Sequence, residues 1–221
     1  MSYFVTGTDT GVGKTLVSCA LLAAFATQGK RVAGFKPVAA GVDADGMNDD
    51  AKALLAASNI PLNYERVNSY CLREAIAPHI AAARENVHIE LPHILSAYRE
   101  ISEKADVVIV EGAGGFRVPL NGMLDNADLA RELGLPVIVV VGMRLGCLNH
   151  ALLTMEAIQS RGLKLAGWVA NEITDAMLVQ QENIEALKER IPAPLLGVVP
   201  YMEKADAGTA VKYLQLERFG G

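Results

Sequence analysis

Short apolar runs and longer amphipathic stretches alternate along the whole of this 221-residue chain. Several of the apolar runs are continuous, which is typical of strands buried on both faces. The predicted strands are residues 3–6, 32–37, 107–111, 137–141, 166–170 and 195–199. The amphipathic stretches predict helices over residues 15–28, 50–58, 91–104, 126–133, 149–161 and 176–190. Repeated strand–helix alternation predicts an α/β fold, a mainly parallel sheet with helices on both faces.

Composition limits the possible partners. The chain is 51% hydrophobic, and its net charge of −5 argues against a nucleic-acid partner bound through phosphate contacts. Its longest apolar run, residues 135–141, is far shorter than the about 20 residues that span a bilayer. Cys19, Cys71 and Cys147 have no metal-ligand spacing, and no signal-peptide pattern opens the chain. We expect one cytoplasmic domain over residues 1–221, with neither a nucleic-acid nor a membrane partner.

Between the first predicted strand and helix, residues 6–15 read TGTDTGVGKT. This is a phosphate-binding P-loop pattern whose first glycine comes one residue earlier than the strict motif requires. Gly11 and Gly13 would let successive backbone N–H groups turn toward one anion, at the positive end of the helix dipole. Lys14 would then reach the β- and γ-phosphates, and the Thr15 hydroxyl would bind magnesium. An ordinary strand-to-helix turn is the alternative.

Charged side chains stand at or just after the ends of the next predicted strands, where parallel sheets bind ligands. Lys36 either reaches water from an edge strand or supplies a second cation for phosphate. Asp50 opens a helix, so it either caps that helix or binds a metal. Glu111 ends an apolar strand as a Walker B acid does, which favours a role in holding magnesium.

The last three predicted strands end in further candidates. Arg144 and the helix start at residues 146–149 form either a second anion site or an ordinary loop with a surface arginine. Asn171 and the turn at 200–201 could frame a nucleobase, although asparagine is also a common turn former.

Six motifs together resemble the ATP-dependent dethiobiotin synthetase family: GTDTGVGKT at 7–15, GFKPV at 34–38, VEGAGG at 110–115, GCLNH at 146–150, GWVAN at 167–171 and IPAPLLG at 191–197. The resemblance implies a P-loop NTPase-like fold and a homodimeric cyclo-ligase of biotin biosynthesis. Such an enzyme binds ATP and Mg²⁺, and it joins 7,8-diaminononanoate to CO2 derived from bicarbonate. The product would be dethiobiotin, formed through a carbamate and a phosphorylated carbamate with release of ADP and phosphate.

The resemblance also implies a role for each matched residue. Thr15, Asp50 and Glu111 would bind magnesium, and Lys36 and Lys14 would be catalytic. The nucleotide would contact Thr10, Gly11, Val12, Gly13, Lys14, Thr15, Leu16, Asp50, Glu111, Gly112, Ala113, Gly114, Asn171, Glu172, Pro200, Tyr201 and Met202. The substrate would contact Lys36, Ala40, Arg144, Gly146, Cys147, Leu148 and Asn149. The loop before Asn149 would receive the substrate carboxylate from the neighbouring subunit, so each active site would lie at the dimer interface.

Three positions depart from the family pattern: Gly11 replaces a glutamate of some members, Ala40 a serine and Asn183 a tyrosine. Two other classes share the predicted fold. A P-loop switch or partitioning ATPase typically has a lysine where Asp9 stands, and often a membrane-binding tail; residues 214–221 are short and lack basic clustering. A related amide-forming ligase or small-molecule kinase would need a different second-substrate site.

Overall fold

Strands and helices alternate from the start of the chain in the computed structural model, which describes residues 1–175 and 177–218. The strands are β1 Ser2–Gly7, β2 Val32–Phe35, β3 Val38–Ala40, β4 Tyr70–Leu72, β5 Val107–Gly115, β6 Val137–Met143, β7 Leu165–Glu172 and β8 Leu195–Val199. The helices are α1 Lys14–Thr27, α2 Asp49–Ala57, α3 Tyr64–Val67, α4 Pro78–Arg84, α5 Leu91–Ser102, α6 Asn126–Leu133, α7 Cys147–Ser160, α8 Gln180–Arg190 and α9 Ala207–Ala210.

A six-stranded sheet in the order β2-β5-β1-β6-β7-β8 forms the centre of the fold. Every pairing in this sheet is parallel, so the carboxyl ends of all six strands meet at one edge. Strand β1 lies between β5 and β6, and it therefore delivers the glycine loop to the middle of that edge. The predicted α/β fold with a parallel sheet is confirmed.

Both faces of the sheet are buried, which explains the continuous apolar runs. In β6, Val137, Val139 and Val141 pack on one side with residues of α5, α6 and α7. Ile138 and Val140 pack on the other side with residues of α1. None of the helices in the described residues combines the length and apolar character that a membrane crossing requires.

The second predicted strand is interrupted. Strand β2 ends at Phe35 and β3 starts at Val38, so Lys36 lies just outside the main sheet. Pro37 has no N–H to give to a sheet ladder, and the Lys36 N–H donates instead to the Val67 carbonyl at 2.7 Å. Strand β3 then pairs with β4 in a separate two-stranded sheet.

Several short elements were not predicted. Helix α3 has four residues, β4 has three and α4 has seven, which is too short for a periodic pattern to be visible. The predicted start of the last helix at Ala176 lies outside the described residues, and α8 begins at Gln180. The ends of the other predicted helices shift by at most two residues.

Helix α2 packs on β2 at Gly34, where a Cβ atom would lie 2.7 Å from the Leu54 Cβ and 3.0 Å from the Leu54 carbonyl oxygen. Neither atom is the end of a flexible side chain. We therefore expect Gly34→Ala to lower the free energy of unfolding by about 1–3 kcal/mol, because the added methyl group overpacks this contact. Urea denaturation measures the change. Gly122→Ala is the matched control, since a Cβ atom there meets open space; an equal loss in both variants would contradict the close packing of α2.

Candidate active site

The glycine loop between β1 and α1 has the backbone that an anion site requires. Gly11 and Gly13 have φ angles of +72° and +85°, in the left-handed region that favours glycine. A Cβ atom at Gly13 would also clash with the Asn171 amide nitrogen. Helix α1 begins directly afterwards, at Lys14, so its first N–H groups face the loop. The strand, glycine loop and helix that the motif predicts are all present.

Lys14 is a buried cation within this loop. The residue is 7% exposed, and its ammonium group donates to the Asp9 carbonyl oxygen at 3.2 Å. Burial lowers the pKa of Lys14, because the charged form has lost its water. A phosphate group in the loop would stabilise the charge that burial penalises.

Three oxygen-bearing side chains converge beside Lys14. The Thr15 hydroxyl oxygen lies 2.7 Å from Asp50 Oδ1 and 3.0 Å from Glu111 Oε1. A hydroxyl group has one proton, so it can donate to only one of these carboxylates at a time. Glu111 is fully buried, and its Oε2 atom has no hydrogen-bond partner in the described residues. The cluster therefore has unused capacity to bind a cation.

Lys36 neutralises the two acids of this cluster. Its ammonium group lies 2.8 Å from Asp50 Oδ2 and 2.5 Å from Glu111 Oε1, and the residue is only 3% exposed. Burial acts to lower the pKa of Lys36, but the charges of Glu111 and Asp50 outweigh it and the pKa is raised. Burial likewise acts to raise the pKa of Asp50, and the charge of Lys36 brings it below its usual range. The alternative that Lys36 reaches water from an edge strand is wrong.

Asp50 does not cap α2. The cap is Asn48, whose side chain accepts a hydrogen bond from the Ala51 N–H. Asp50 stands in the first turn of the helix, and its carboxylate turns toward Thr15 and Lys36. The helix-cap alternative for Asp50 is therefore wrong.

The donor set fits magnesium bound together with phosphate. Mg²⁺ usually takes one or two carboxylates, and phosphate oxygens and water complete its coordination. Thr15, Asp50 and Glu111 supply a hydroxyl and two carboxylates from three different elements. In the part of the chain that the structure describes, no group of three or more His, Cys, Asp or Glu side chains could hold a metal by itself.

A second group of predicted residues meets at the ends of β7 and β8. Asn171 is 4% exposed, and its amide nitrogen donates to the Val12 carbonyl at 2.9 Å. Its Oδ1 atom is buried without a partner in the described residues. The Glu172 carboxylate accepts from the Tyr201 N–H at 3.3 Å, which joins the turn at 200–202 to β7. These contacts tie the far end of the site to the glycine loop.

A cavity of about 750 Å³ lies over the P-loop. The predicted residues that line it are Thr10, Gly11, Gly13, Lys14, Thr15, Leu16, Lys36, Ala40, Asp50, Ala113 and Gly114. Val12, Glu111 and Gly112 are buried next to these residues in the chain. A cavity of about 720 Å³ near α4 has no Lys, Arg, Asp or Glu in its described lining, so its chemistry does not suit phosphate.

The predicted second anion site is not part of this cavity within one chain. The Arg144 guanidinium group pairs with the carboxylate of Asp9 in the glycine loop. A backbone hydrogen bond from Thr10 and the pairing with Arg144 keep the pKa of Asp9 below its usual range. Residues 146–149 form the start of α7, with Gly146 as its left-handed cap. The Asn183 side chain on α8 donates to the carbonyl of Val179, just before that helix, and Asn183 does not line the cavity either.

Some cavity residues were missed in the sequence. Residues 75–78, Val118 and Ala205 line the wall, and Asn48 holds α2 beside it. Pro78 at the first turn of α4 and Asn48 as a helix cap are local signals that could have located two of them. The remaining residues are apolar and carry no such signal.

The chain matches the family described as AAA domain over residues 1–209. A relative from Aromatoleum aromaticum, named ATP-dependent dethiobiotin synthetase BioD, is 56% identical over 97% of both chains. A relative of the same name from Nitrosospira multiformis is 55% identical over 99% of this chain and 96% of its own. The chain belongs to the ATP-dependent dethiobiotin synthetase family. The predicted family is therefore confirmed, and with it an enzyme of the ligase class that uses ATP in biotin biosynthesis.

Solved structures outside the dethiobiotin synthetase family share the fold. The MinC:MinD cell division complex of Aquifex aeolicus matches with a TM-score of 0.56 and 17% identity, over 98% of this chain and 87% of that one. The cell division protein FtsY of Thermotoga maritima matches with a TM-score of 0.53 and 17% identity, over 96% and 67%. At this identity the likeness concerns the fold alone, and the predicted P-loop NTPase-like fold is confirmed.

Removal of the Lys36 ammonium group should destabilise the protein strongly. Lys36→Met leaves Glu111 fully buried without its cation, which costs about 3–5 kcal/mol of unfolding free energy at neutral pH. Urea denaturation checks this value. Because the pKa of Asp50 in the folded protein lies below its usual range, the Asp50–Lys36 attraction is present at neutral pH and is lost as the pH falls through that lowered pKa. The difference from the wild type should therefore shrink at acid pH.

Lys52→Met is the matched control. Lys52 also pairs with carboxylates, but these partners are exposed, so its removal should cost at most about 1 kcal/mol. Similar losses of unfolding free energy in the two variants would show that the buried cluster contributes no more to stability than the exposed ion pairs.

Proposed function

We propose that this enzyme carries out the ATP- and Mg²⁺-dependent carboxylation and ring closure of 7,8-diaminononanoate with CO2. The reaction would pass through a carbamate and a phosphorylated carbamate, and it would yield dethiobiotin, ADP and phosphate. The observation that carries this proposal is the buried Lys36 ammonium group beside the P-loop threonine and two carboxylates. Such a cluster provides both a cation for an anionic intermediate and oxygens for a metal.

The first role of the site is to hold the nucleotide phosphates. Backbone N–H groups of the glycine loop and the Lys14 ammonium group would bind the β- and γ-phosphates. Thr15, Asp50 and Glu111 would hold magnesium, which neutralises charge on the transferring phosphoryl group. The support for this arrangement is the position of the Thr15 hydroxyl oxygen, which lies 2.7 Å from Asp50 Oδ1 and 3.0 Å from Glu111 Oε1.

The second role is to stabilise a carbamate. A neutral amine of the substrate attacks CO2, and an N–C bond forms. The attacking nitrogen then loses a proton, which leaves a carbamate anion. Lys36 and Lys14 both line the cavity, so two positive charges would face this anion and the γ-phosphate. A carbamate oxygen then takes the phosphoryl group, and ADP leaves.

Ring closure follows on the activated carbonyl carbon. The second amine attacks this carbon, a second C–N bond forms, and the C–O bond to phosphate breaks. The two amines belong to one held molecule, so proximity supplies much of the acceleration. We assign no side chain as a dedicated base, because the released phosphate can take the protons.

The nucleobase would bind between the ends of β7 and β8. Asn171 would recognise adenine, with Glu172 and the turn at 200–202 beside it. The support for this assignment is the buried and unpartnered Oδ1 atom of Asn171 in the described residues. Its amide nitrogen already donates to the P-loop, so the carbonyl oxygen remains available for a base.

We further propose a cytoplasmic homodimer in which residues 1–221 act as one domain, without nucleic-acid or membrane partners. The carboxylate of diaminononanoate lies a long methylene chain away from its amines. Residues 146–149 stand at the start of α7 and outside the cavity of their own chain, while neighbouring Leu145 is 97% exposed. The same loop of the partner subunit would therefore bind the substrate carboxylate.

The proposed reaction predicts ADP release that depends on both diaminononanoate and bicarbonate. Lys36→Met, assayed below its melting temperature, should lower kcat by at least about a hundredfold, because it removes a charge that faces the transition state. Lys52→Met should keep wild-type turnover. Release of ADP without diaminononanoate would instead support the switch ATPase, and release with another amine or acid would support the related ligase.

A shared active site predicts activity in hybrid dimers. Lys14→Ala disables the P-loop, and Asn149→Asp places a negative charge where the substrate carboxylate would bind. In a hybrid dimer, one site combines the intact P-loop of one chain with the intact loop of the other. Complete exchange of equal amounts should restore about a quarter of wild-type activity, since half of the dimers are hybrids with one working site of two.

Each variant exchanged with itself is the control for this experiment, and differently tagged chains verify that hybrids form. If verified hybrids have no more activity than the separate variants, then the two sites do not share this loop.

A further inference from the structure

The backbone of Lys36 is held by residues that no motif identified. Lys36 lies just outside β2, so the main sheet does not bond its peptide groups. Its N–H donates to the Val67 carbonyl at 2.7 Å. Its carbonyl accepts from the Asn68 amide nitrogen, also at 2.7 Å. Asn68 is 4% exposed, and it therefore fixes the peptide from which the Lys36 side chain extends.

The hydroxyl group of Tyr64 connects Asn68 to helix α2. It accepts a hydrogen bond from the Asn48 N–H at 2.7 Å and donates one to Asn68 Oδ1 at 3.1 Å. Burial raises the pKa of Tyr64 to about 12, so the hydroxyl keeps the proton that it donates. The Cys71 sulfur lies 3.3 Å from the same oxygen.

Asn48 in turn determines where α2 begins. Its side-chain oxygen accepts from the Ala51 N–H at 3.2 Å, and its amide nitrogen donates to the Gly41 carbonyl at 2.8 Å. Asp50 follows two residues later, in the first turn. A shift of Asn48 would therefore move the Asp50 carboxylate.

We propose that Tyr64 and Asn68 are positioning residues that hold the ammonium group of Lys36 and the carboxylate of Asp50 in fixed relation. The connection runs from the Lys36 carbonyl through Asn68, Tyr64 and Asn48 to α2. It joins the backbones of the two residues, while their side chains meet directly at 2.8 Å. The proposal rests on the proposed function for the roles of Lys36 and Asp50.

The side chain of Asn68 forms hydrogen bonds through both its amide nitrogen and its oxygen, which supports a positioning role. The Asn68 amide nitrogen donates to the Lys36 and Tyr70 carbonyls, and its oxygen accepts from Tyr64. Removal of the Tyr64 hydroxyl would leave the Asn48 N–H and the Asn68 oxygen without their partner. Electrostatic catalysis needs charges that are already in place. Greater mobility of the Lys36 and Asp50 side chains would therefore lower kcat more than it weakens the binding of ATP.

Tyr64→Phe tests the proposal, with Tyr70→Phe as its matched control. The Tyr70 hydroxyl also accepts from a backbone N–H, that of Glu90 at 3.0 Å, but α2 and Lys36 are not among its partners. Tyr64→Phe should increase hydrogen exchange of the Asn48 amide, measured by NMR, about tenfold. It should also weaken Mn²⁺ binding in the presence of ADP about tenfold and lower kcat by a similar factor, with the KM for ATP changed less than twofold. Tyr70→Phe should leave all four quantities within twofold of the wild type.

The alternative is that Tyr64 only stabilises the fold. In that case Tyr64→Phe lowers the melting temperature and speeds exchange of the Asn48 amide that has lost its acceptor, while Mn²⁺ binding and kcat keep wild-type values, and the proposal is overturned. Asn68→Ala gives a second test: a crystal structure of this variant should have the Lys36 ammonium group displaced from Glu111, and an unmoved Lys36 would contradict the proposal. If the wild type shows no ADP release that depends on diaminononanoate, the proposed function is rejected. Mn²⁺ binding and the position of Lys36 in Asn68→Ala would still decide the positioning role.

Discussion

The attraction between one buried ammonium group and two carboxylates joins three elements of the fold at the candidate active site. Lys36 lies just after β2, Asp50 at the start of α2 and Glu111 within β5. A buried charge without a partner costs several kcal/mol, so these three elements are most stable when all three side chains meet. The close packing of α2 on Gly34 and the interruption of β2 before Pro37 both place these groups at the sheet edge that carries the glycine loop.

Much of this edge could be predicted from the sequence because its constraints are local. Gly11 and Gly13 have the left-handed backbone that the motif required, and Glu111 stands on an apolar strand, as its pattern indicated. The positions of Lys14 and Thr15 at the start of α1 follow from the same short segment. Residues close together in sequence determine such features, so periodicity and spacing were enough.

Other parts depend on contacts between distant residues. Tyr64 bonds Asn48 and Asn68 bonds Lys36 across long stretches of chain, from elements too short to have a visible period. Arg144 was predicted for an anion site, yet it pairs with Asp9, because β1 and β6 are neighbours in the sheet. No single-sequence pattern reveals such a pairing. The family could be predicted because six motifs were taken together. The fold alone would not have identified it, since cell division proteins of 17% identity share that fold.

The close approach of Gly13 and Asn171 has a consequence for the substitutions that this chain can accept. The asparagine amide occupies the space that any side chain at position 13 would need, and the same amide bonds the Val12 carbonyl. These two positions are about 160 residues apart in sequence, yet a change at one alters what the other can accept. Gly13 and Asn171 therefore constrain each other: a side chain at position 13 would require the Asn171 amide to move, and loss of that amide would remove a hydrogen bond of the glycine loop.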